Sequence, residues 1–361
     1  MATLPSEAAS DPELARALME AGMDCARINC AHDDAAAWRA MAAHVRRAAE
    51  ETGRACRILM DVAGPKCRIE AVRAPGKPRV RRGDRFALVA DGAADGSDAR
   101  EISVAISFPE FLADLQPGAP VWIDDGKIGA RVVACNQGRV RLEVVSAREK
   151  GVVLKLEKGV NFPTVENRLP PLTEKDLADL DVVADLADLV GFSFVQRVED
   201  IVRMADELGR RRGARPPQGL VLKIETALAV ENLPLLIVAA AARHPVAVMI
   251  ARGDLAVEVG FARLAEIQEE IMWLCEAARA PVIWATQVLE KLVKEGTPAR
   301  GETTDVAMSQ RAECVMLNKG PFLVDGVAFA ADVLTRMDRH TLKKTPRFGA
   351  LESWKDLVAA P

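Results

Sequence analysis

The sequence predicts an α/β protein, a (β/α)8 TIM barrel with an all-β domain inserted after the third barrel strand. Eight short β-branched or apolar runs recur along the 361 residues, and most are separated by longer stretches of helical period. Eight strand-then-helix units are the number that a closed barrel of this class requires. Between residues 66 and 163 the helical period nearly vanishes, which predicts the inserted domain.

The eight runs are the predicted barrel strands. They occupy residues 2–4, 25–29, 57–62, 188–194, 219–225, 246–251, 281–286 and 313–317. Helices are predicted at residues 11–21, 173–187, 198–212, 226–243, 262–278 and 324–339. The first helix has the clearest start, because Ser10, Asp11, Pro12 and Glu13 form a capping box with proline in the first turn.

The inserted segment consists of strand and turn signals. Residues 139–146 alternate as a strand does, and Asp125-Gly126 between apolar flanks predicts a hairpin. Because the insert follows a barrel strand on the face where loops carry function, we expect it to act as a lid, with a passive decoration as the alternative. The predicted domains are residues 1–65 and 164–340 for the barrel, 66–163 for the insert and 341–361 for a C-terminal tail.

Composition and charge disfavour several partners. A formal net charge of −4 leaves no global basic field to hold nucleic acid or an anionic membrane. No apolar run approaches the roughly 20 residues that span a bilayer, and residues 1–9 lack a signal core, so we expect a cytoplasmic protein. The seven scattered cysteines contain no C-x-x-C pair, which predicts reduced thiols; a metal cluster of Cys25, Cys30 and His32 is the disfavoured alternative.

Two neighbouring strands predict a cation site at the carboxyl end of the barrel. Lys223 and Glu225 are two residues apart on an apolar strand, so both side chains face the barrel axis. Asp254 follows the next strand, and two carboxylates of this kind suit Mg²⁺ or Mn²⁺ with positions left for water and phosphate. A self-satisfied ion pair of Lys223 and Glu225 is the alternative, although burying both charges without further hydrogen bonds is costly.

Positive side chains at the same end of the barrel predict an anionic substrate. Arg27, Arg68, Arg252 and Lys223 suit phosphate and carboxylate groups. Gly253 permits a close approach of the backbone to a ligand. The chemistry implied is a small, highly anionic substrate held by a metal and by arginines.

Six motifs follow one another along the chain. They lie at residues 27–32 (RINCAH), 61–68 (DVAGPKCR), 158–163 (KGVNFP), 222–225 (LKIE), 249–255 (MIARGDL) and 285–290 (ATQVLE). In sequence and in order these motifs resemble the pyruvate kinase family, and the resemblance runs from Thr3 to about His340. It implies a barrel over which the insert closes, and the transfer of phosphate from phosphoenolpyruvate to ADP to give pyruvate and ATP.

The resemblance also implies a role for each site residue. Glu225 and Asp254 would hold the divalent metal, Lys223 would stabilise the transferring phosphoryl group and the enolate, and Thr286 would lie near the enolate carbon. The other positions are Arg27 and Arg68 at the phosphoryl oxygens, Ala251, Arg252, Gly253 and Asp254 at the substrate carboxylate, Ser193 among the substrate-binding residues, and Asn29, His32 and Lys158 at the nucleotide phosphates.

The monovalent-cation site departs from the family pattern. Ala31 replaces the serine that binds K⁺ in most members, and the usual Gly-Pro-Glu reads Gly64-Pro65-Lys66. Family members with lysine at that place do not need K⁺. We therefore expect the ammonium of Lys66, together with Asp61, to take the place of K⁺.

Further departures lie at the first and eighth strands and at the chain end. Residues 318–321 (NKGP) replace Ser-Gly-Glu-Thr, and the first-strand Gly-Pro is absent; both positions lie near the expected nucleotide site. The chain ends soon after the last predicted helix, which predicts an atypical short form without the family's C-terminal regulatory domain. We expect a homo-oligomer, with a dimer favoured.

Two other classes of function stay open. Barrel lyases and aldolases that act on phosphoenolpyruvate or pyruvate share a metal-bound enolate, but they generally lack a β-domain after the third strand. A non-catalytic binding protein on the same scaffold would fit the altered nucleotide positions. The retention of Lys223, Glu225, Asp254 and Thr286 favours an active enzyme over such a protein.

Overall fold

The structure is a computed structural model that describes residues 1–90, 101–136, 138–165, 167–342 and 345–346. Most of the predicted tail, residues 341–361, lies outside the described residues. Within the described part, none of the helices combines the length and the apolar composition needed to cross a bilayer.

The first part of the chain forms three parallel strands and the helices between them. The elements are β1 (Ala2–Thr3), a 3-10 turn (Ser6–Ala9), α1 (Pro12–Glu20), β2 (Cys25–Asn29), α2 (Ala35–Thr52) and β3 (Arg57–Val62). The predicted capping box at Ser10 is wrong by one residue, because the N-cap of α1 is Asp11, whose side chain accepts a hydrogen bond from the N–H of Glu13 at 3.0 Å. Helix α2 was not predicted; Asp34 caps it by accepting from two backbone N–H groups.

The segment after β3 is mostly strand. It contains β4 (Ile69–Arg73), β5 (Arg79–Val80), β6 (Arg85–Val89), β7 (Ile102–Ile106), α3 (Phe111–Asp114), β8 (Pro120–Ile123), β9 (Ile128–Asn136), β10 (Arg139–Ala147), β11 (Val152–Val153) and β12 (Val160–Asn161). A seven-stranded sheet has the order β12-β8-β9-β10-β6-β7-β4, and β5 pairs with β11. The hairpin predicted at Asp125-Gly126 is confirmed, since β8 and β9 pair antiparallel on either side of it. This segment, called the insert below, has a hydrophobic core of its own.

The chain then returns to alternating helices and strands. They are α4 (Glu174–Leu186), β13 (Leu189–Phe192), α5 (Val198–Arg212), β14 (Gly219–Ile224), α6 (Ala227–Ala241), β15 (Val246–Ala251), α7 (Arg252–Val259), α8 (Phe261–Ala278), β16 (Val282–Ala285), α9 (Glu290–Glu295), α10 (Arg300–Ser309), β17 (Cys314–Val315), α11 (Leu323–Met337), β18 (Thr341–Leu342) and β19 (Thr345–Pro346). Helices α7, α9 and α10 were not predicted. Helix α7 begins directly after β15, so Arg252, Gly253 and Asp254 form a first helical turn.

Eight parallel strands form the second sheet, in the order β1-β2-β3-β13-β14-β15-β16-β17. A parallel bridge between Ala2 and Leu317 brings the two edges together, and the Thr3 N–H donates to the Leu317 carbonyl at 2.9 Å. The predicted α/β class and the curled parallel sheet are therefore confirmed. Because all these strands run the same way, their carboxyl ends meet at one mouth of the barrel. The chain leaves the parallel sheet at this mouth, after β3, to form the insert.

Gly191 on β13 connects this fold to the site. It pairs with Asp61 of β3 on one side and with Val221 of β14 on the other. A Cβ atom on Gly191 would lie 2.7 Å from Oδ1 of Asp61. The missing side chain lets the carboxylate of Asp61 extend across β13 toward Lys223 of β14, to which it is bonded.

We predict that Gly191→Ala lowers the free energy of unfolding by about 1–3 kcal/mol, because the new methyl group overpacks the site of a buried carboxylate. Urea-induced unfolding measures the change. The control is Gly209→Ala on α5, where an added Cβ meets nothing within 4 Å; we expect it to be neutral or to stabilise by up to about 1 kcal/mol. Equal stability of the two variants would contradict the prediction.

Candidate active site

A cavity of about 350 Å³ opens at the carboxyl end of the barrel. It is lined by side chains from the barrel strands and from the insert, and most of the predicted site residues are among them. These are Arg27, Asn29, His32, Lys66, Arg68, Ser193, Lys223, Glu225, Ala251, Gly253, Asp254 and Thr286. Asp61, Lys158 and Arg252 are not part of the lining.

Asp61 is buried beside the cavity and forms ion pairs with two cations that line it. Its side chain is 1% exposed. Oδ2 accepts from Nε of Arg27 at 2.9 Å, and Oδ1 lies 3.2 Å from Nζ of Lys223. Burial alone would raise the pKa of Asp61, but the charges of Lys223 and Arg27 outweigh burial and hold the pKa below its ordinary value. Asp61 is therefore a buried anion that fixes the positions of Arg27 and Lys223.

Lys223 and Glu225 share a face, as their spacing predicts. Nζ of Lys223 lies 3.3 Å from Oε1 of Glu225. The ammonium also donates to Oγ of Ser193 at 2.6 Å, and Ser193 in turn donates to the carbonyl of Val62 at 2.6 Å. The pair thus has the further hydrogen bonds that its burial requires, and both residues line the cavity.

Two carboxylates face the cavity from adjacent strand ends. Oε2 of Glu225 accepts the N–H of Phe194 at 2.7 Å. Burial raises the pKa of Glu225, and the nearby charge of Asp254 raises it further against the opposing effect of Lys223. For Asp254, burial acts in the same direction, but the adjacent Lys66 outweighs it and lowers the pKa. The two acids therefore have opposite shifts in one cavity.

Lys66, at the base of the insert, contacts Asp254. Its Nζ lies 2.8 Å from Oδ1 and 2.9 Å from Oδ2 of that carboxylate, and Nδ2 of Asn161 donates to Oδ1 at 3.4 Å. An added Cβ on Gly159 would lie 2.8 Å from Cε of Lys66, so the lysine side chain passes close over this glycine. Two insert residues thus meet one barrel carboxylate.

Lys66 and Asp61, the two residues expected to take the place of K⁺, have different partners. Among the described residues, Asp61 forms ion pairs with Arg27 and Lys223, and Lys66 forms its pair with Asp254. The physical reason is that Lys66 comes from the chain that leaves β3 for the insert. Its side chain therefore extends over the mouth, while Asp61 lies below it.

Thr286 and Gly253 approach each other at the end of β16. The hydroxyl of Thr286 accepts the N–H of Gly253 at 2.7 Å. Thr286 and Gln287 have left-handed φ values of 65° and 58°. The turn places the Thr286 side chain on the cavity wall, as the predicted role requires.

The predicted anion-binding role of Arg252 is not supported by its contacts. Its guanidinium forms two hydrogen bonds to the carboxylate of Asp305 on α10, at 2.6 and 2.8 Å. It also donates to the carbonyls of Ala285 and Thr286 and lies over the ring of Trp284. Because Arg252 begins a helix, the alternation of the preceding strand does not fix its direction, and its side chain packs against β16 and α10 instead of lining the cavity.

Lys158 lies outside the cavity as well. Its Nζ is 3.1 Å from Oδ1 of Asp124, and its side chain is 39% exposed. Asp125, in the same hairpin turn, does line the cavity but was identified only as a turn residue. The Asp-Gly dipeptide that predicts the hairpin was the available signal, because the tip of a hairpin on an inserted domain can extend over a barrel mouth.

One rim of the cavity lies close to positive charges. Burial lowers the pKa of His32, and the charges of Lys319 and Arg68 lower it further. His32 and Asn29 both line this rim, next to Asn318. Lys319 follows the last barrel strand, and its proximity to His32 makes this rim suited to a phosphate-bearing ligand.

Comparison with known proteins agrees with the motifs. A family model described as "Pyruvate kinase, barrel domain" matches residues 1–321. The chain belongs to the pyruvate kinase family. A pyruvate kinase of Agrobacterium vitis is 33% identical over 340 residues, which cover 92% of this chain and 67% of that relative. One of Mycobacterium intracellulare is 35% identical over 86% of this chain and 63% of its own length.

A third relative, the pyruvate kinase of Clostridium perfringens, is 30% identical over 85% of this chain and 62% of its own length. The chain thus spans about two thirds of the length of the curated relatives it matches.

Glu225 and Asp254 fit the divalent metal that the family implies. Both offer carboxylate oxygens, the donors that Mg²⁺ and Mn²⁺ prefer. Within the described ranges, no cluster of three or more His, Cys, Asp or Glu is arranged to hold a metal ion. A metal ion held by these two carboxylates would leave its remaining positions to substrate and water.

A further acid lies in a neighbouring cavity of about 290 Å³ between the insert and the barrel. This is Glu258, one helical turn after Asp254 on α7. Burial raises the pKa of Glu258 to about 7, and the charge of Asp254 adds to the effect. The raised pKa means that the carboxyl group of Glu258 binds a proton more tightly in the folded protein than in the unfolded chain. This proton binding stabilises the folded protein. The stabilisation is fully present below the ordinary pKa of 4.5 and is lost as the pH rises through about 7.

We predict that Glu258→Gln removes the decrease in stability that the wild type shows as the pH rises. Between about pH 5 and about pH 8 the wild type should lose up to about 3 kcal/mol of unfolding free energy relative to the variant. Urea-induced unfolding at both pH values measures the difference, with Glu231→Gln on the same cavity wall as the control. A difference between Glu258→Gln and wild type that does not change with pH would contradict the prediction.

Proposed function

We propose that this chain transfers the phosphoryl group of phosphoenolpyruvate to ADP, giving pyruvate and ATP. The observation that carries the proposal is the position of Lys223. Its ammonium is held by Asp61, Glu225 and Ser193 and lines a cavity that also contains Thr286 and Asp254. In a chain of the pyruvate kinase family, this arrangement supports phosphoryl transfer over the other barrel chemistries.

The charges of the cavity suit such a reaction. Phosphoryl transfer depends mainly on alignment and on neutralisation of the negative charge on the transferring group. Arg27 and Lys223 are fixed by a common buried carboxylate, and Arg68 lines the same cavity from the insert. These three cations would contact the phosphoryl oxygens. When bound at Glu225 and Asp254, Mg²⁺ or Mn²⁺ would supply further positive charge.

Thr286 is suited to the proton-transfer part of the reaction. Its hydroxyl oxygen accepts the N–H of Gly253, so the hydroxyl hydrogen is left to donate toward the cavity. A hydroxyl held in this way can relay a proton to the enolate carbon, taking up a proton from water as it gives its own. The backbone of residues 251–254 would border the substrate carboxylate.

The nucleotide fits the positive rim. Asn29 and His32 lie there, and a further cavity of about 470 Å³ is lined by Lys319, Glu7, Ser6 and several apolar residues. A largely apolar cavity with a few polar groups, one of them a cation, suits the nucleoside part of ADP. The expected contact of Lys158 with the nucleotide phosphates stays a prediction, since its ammonium pairs with Asp124 in this structure.

The insert is proposed to act as a lid. Lys66 and Asn161 bond to Asp254, and a Cβ on Gly126 at the hairpin tip would lie 3.6 Å from both Val257 and Phe261 of the barrel. An insert in this position shields the cavity, and the exclusion of water prevents hydrolysis from competing with transfer to ADP. A cytoplasmic location and a dimeric assembly stay predictions from the sequence.

We predict that Lys223→Met lowers the rate of pyruvate formation at least about a thousandfold, because the developing charge loses a preorganised cation worth about 4 kcal/mol. A coupled assay with phosphoenolpyruvate, Mg²⁺ and ADP measures it, and Lys294→Met on the surface of α9 is the matched control. Wild type that binds metal but forms no ADP-dependent pyruvate would favour a lyase or a binding protein over a kinase.

We predict that the enzyme does not need K⁺. Lys66 places a buried ammonium in the cavity, where Asp254 raises its pKa against the effect of burial. This fixed cation would replace a bound monovalent ion. The activity in tetramethylammonium chloride should therefore equal that in potassium chloride. Strong stimulation of the wild type by K⁺ is the result that refutes the prediction.

A further inference from the structure

We propose that Asp305 is a positioning residue for Thr286 and acts through Arg252. The inference rests on the proposed function, in which the hydroxyl of Thr286 delivers a proton. Asp305 lies on α10 and is not part of the cavity lining. It therefore does not touch the substrate, and any effect on the reaction passes through the residues it holds.

The turn that carries Thr286 has an uncommon backbone. Thr286, Gln287 and Leu289 all have positive φ, at 65°, 58° and 48°. A β-branched residue such as threonine rarely adopts this region, and each such residue costs about 1–3 kcal/mol unless the surroundings hold it there. A specific set of contacts must therefore keep the turn in place.

Arg252 supplies those contacts. Its Nε donates to the carbonyl of Ala285 at 3.0 Å, and one terminal nitrogen donates to the carbonyl of Thr286 at 2.7 Å. Two successive carbonyls at the start of the turn are thus bonded to one planar guanidinium. The next residue in the chain, Gly253, donates its N–H to the hydroxyl of Thr286 at 2.7 Å. Both the backbone and the side chain of Thr286 are held from the start of α7.

Asp305 fixes the orientation of that guanidinium. The carboxylate forms two hydrogen bonds with Arg252, at 2.6 and 2.8 Å, and Oδ1 also accepts from Nε1 of Trp284 at 3.2 Å. The guanidinium lies 4.8 Å from the centre of the Trp284 ring. The Arg252 side chain is only 11% exposed, so loss of the carboxylate would leave a largely buried cation without its counter-charge. We infer that the cation would then turn toward solvent and release the Thr286 carbonyl.

The expected consequence is selective. Substrate binding depends on Lys223, Arg27 and the acids, which Asp305 does not contact, whereas proton delivery depends on the position of one hydroxyl. A small displacement of a reacting group can cost about a hundredfold in rate. We therefore expect Asp305→Asn to lower kcat about 10- to 100-fold and to change the KM for phosphoenolpyruvate by less than about threefold.

The decisive experiment is a double-mutant cycle with Asp305→Asn and Thr286→Val. If Asp305 acts through Thr286, the double variant should be no slower than Thr286→Val alone, whereas independent effects would multiply. Exchange of the pyruvate methyl hydrogens with deuterium from D₂O, followed by NMR, should slow in parallel with kcat in Asp305→Asn. Multiplying effects, or an unchanged exchange rate, would overturn the inference.

Controls separate positioning from a general loss of structure. Asp332→Asn removes the carboxylate of an exposed ion pair with Arg336 on α11. It should leave kcat and the rate of methyl hydrogen exchange unchanged. Arg252→Lys keeps a positive charge but cannot bond both carbonyls and the carboxylate together, so it should reproduce the effect of Asp305→Asn. Thermal unfolding identifies any variant that fails to fold.

A readout that needs no turnover separates this inference from the proposed function. The methyl resonance of Thr286 in protein with labelled threonine methyl groups should shift in Asp305→Asn and stay in place in Asp332→Asn. An inactive wild type with a shifted Thr286 resonance would overturn the proposed function but keep the link between Asp305 and Thr286. An active wild type with no shift in Asp305→Asn would overturn the link alone.

Discussion

The site depends on one buried carboxylate that lies beneath the cavity. Asp61 is bonded to Arg27 and Lys223, and without it two cations would face each other with no anion between them. The three residues come from three different strands, and Gly191 on the intervening strand leaves the space through which Asp61 and Lys223 meet. Burying this anion is favourable only because both cations are fixed around it, and the same ion pairs orient the cations toward the cavity.

A second constraint ties the insert to the barrel. Lys66 and Asn161 come from opposite ends of the insert, and both bond to Asp254 at the start of α7. Gly159 leaves the space that the Lys66 side chain occupies. Asp254 is also a candidate metal ligand, so the carboxylate that contacts the insert is one that would contact the bound cation. Under the proposed function, closure of the insert and cation binding would be linked through Asp254.

Much of the fold was predictable from local pattern. The observed bounds of β2, β3 and β15 equal the predicted ones, since each is a short apolar run with clear flanks. Helix α2 was missed because it is rich in alanine and contains few large apolar residues. Helix α7 was missed because it begins directly after β15 without a loop. The gathering of Lys223, Glu225, Asp254 and Thr286 followed from the rule that parallel strand ends meet at one mouth.

The sequence by itself determined the barrel strands, the interruption after the third strand, the family and most of the residues that line the cavity. Only the tertiary structure decided which charges pair. Lys66 bonds to an acid 188 positions away, and Arg252 bonds to Asp305 on a helix that was not predicted. The alternation of side chains along a strand fixes the face of the sheet from which each side chain projects. Beyond a strand end, however, the direction of a long side chain depends on the nearest opposite charge, and that charge is brought close only when the barrel closes.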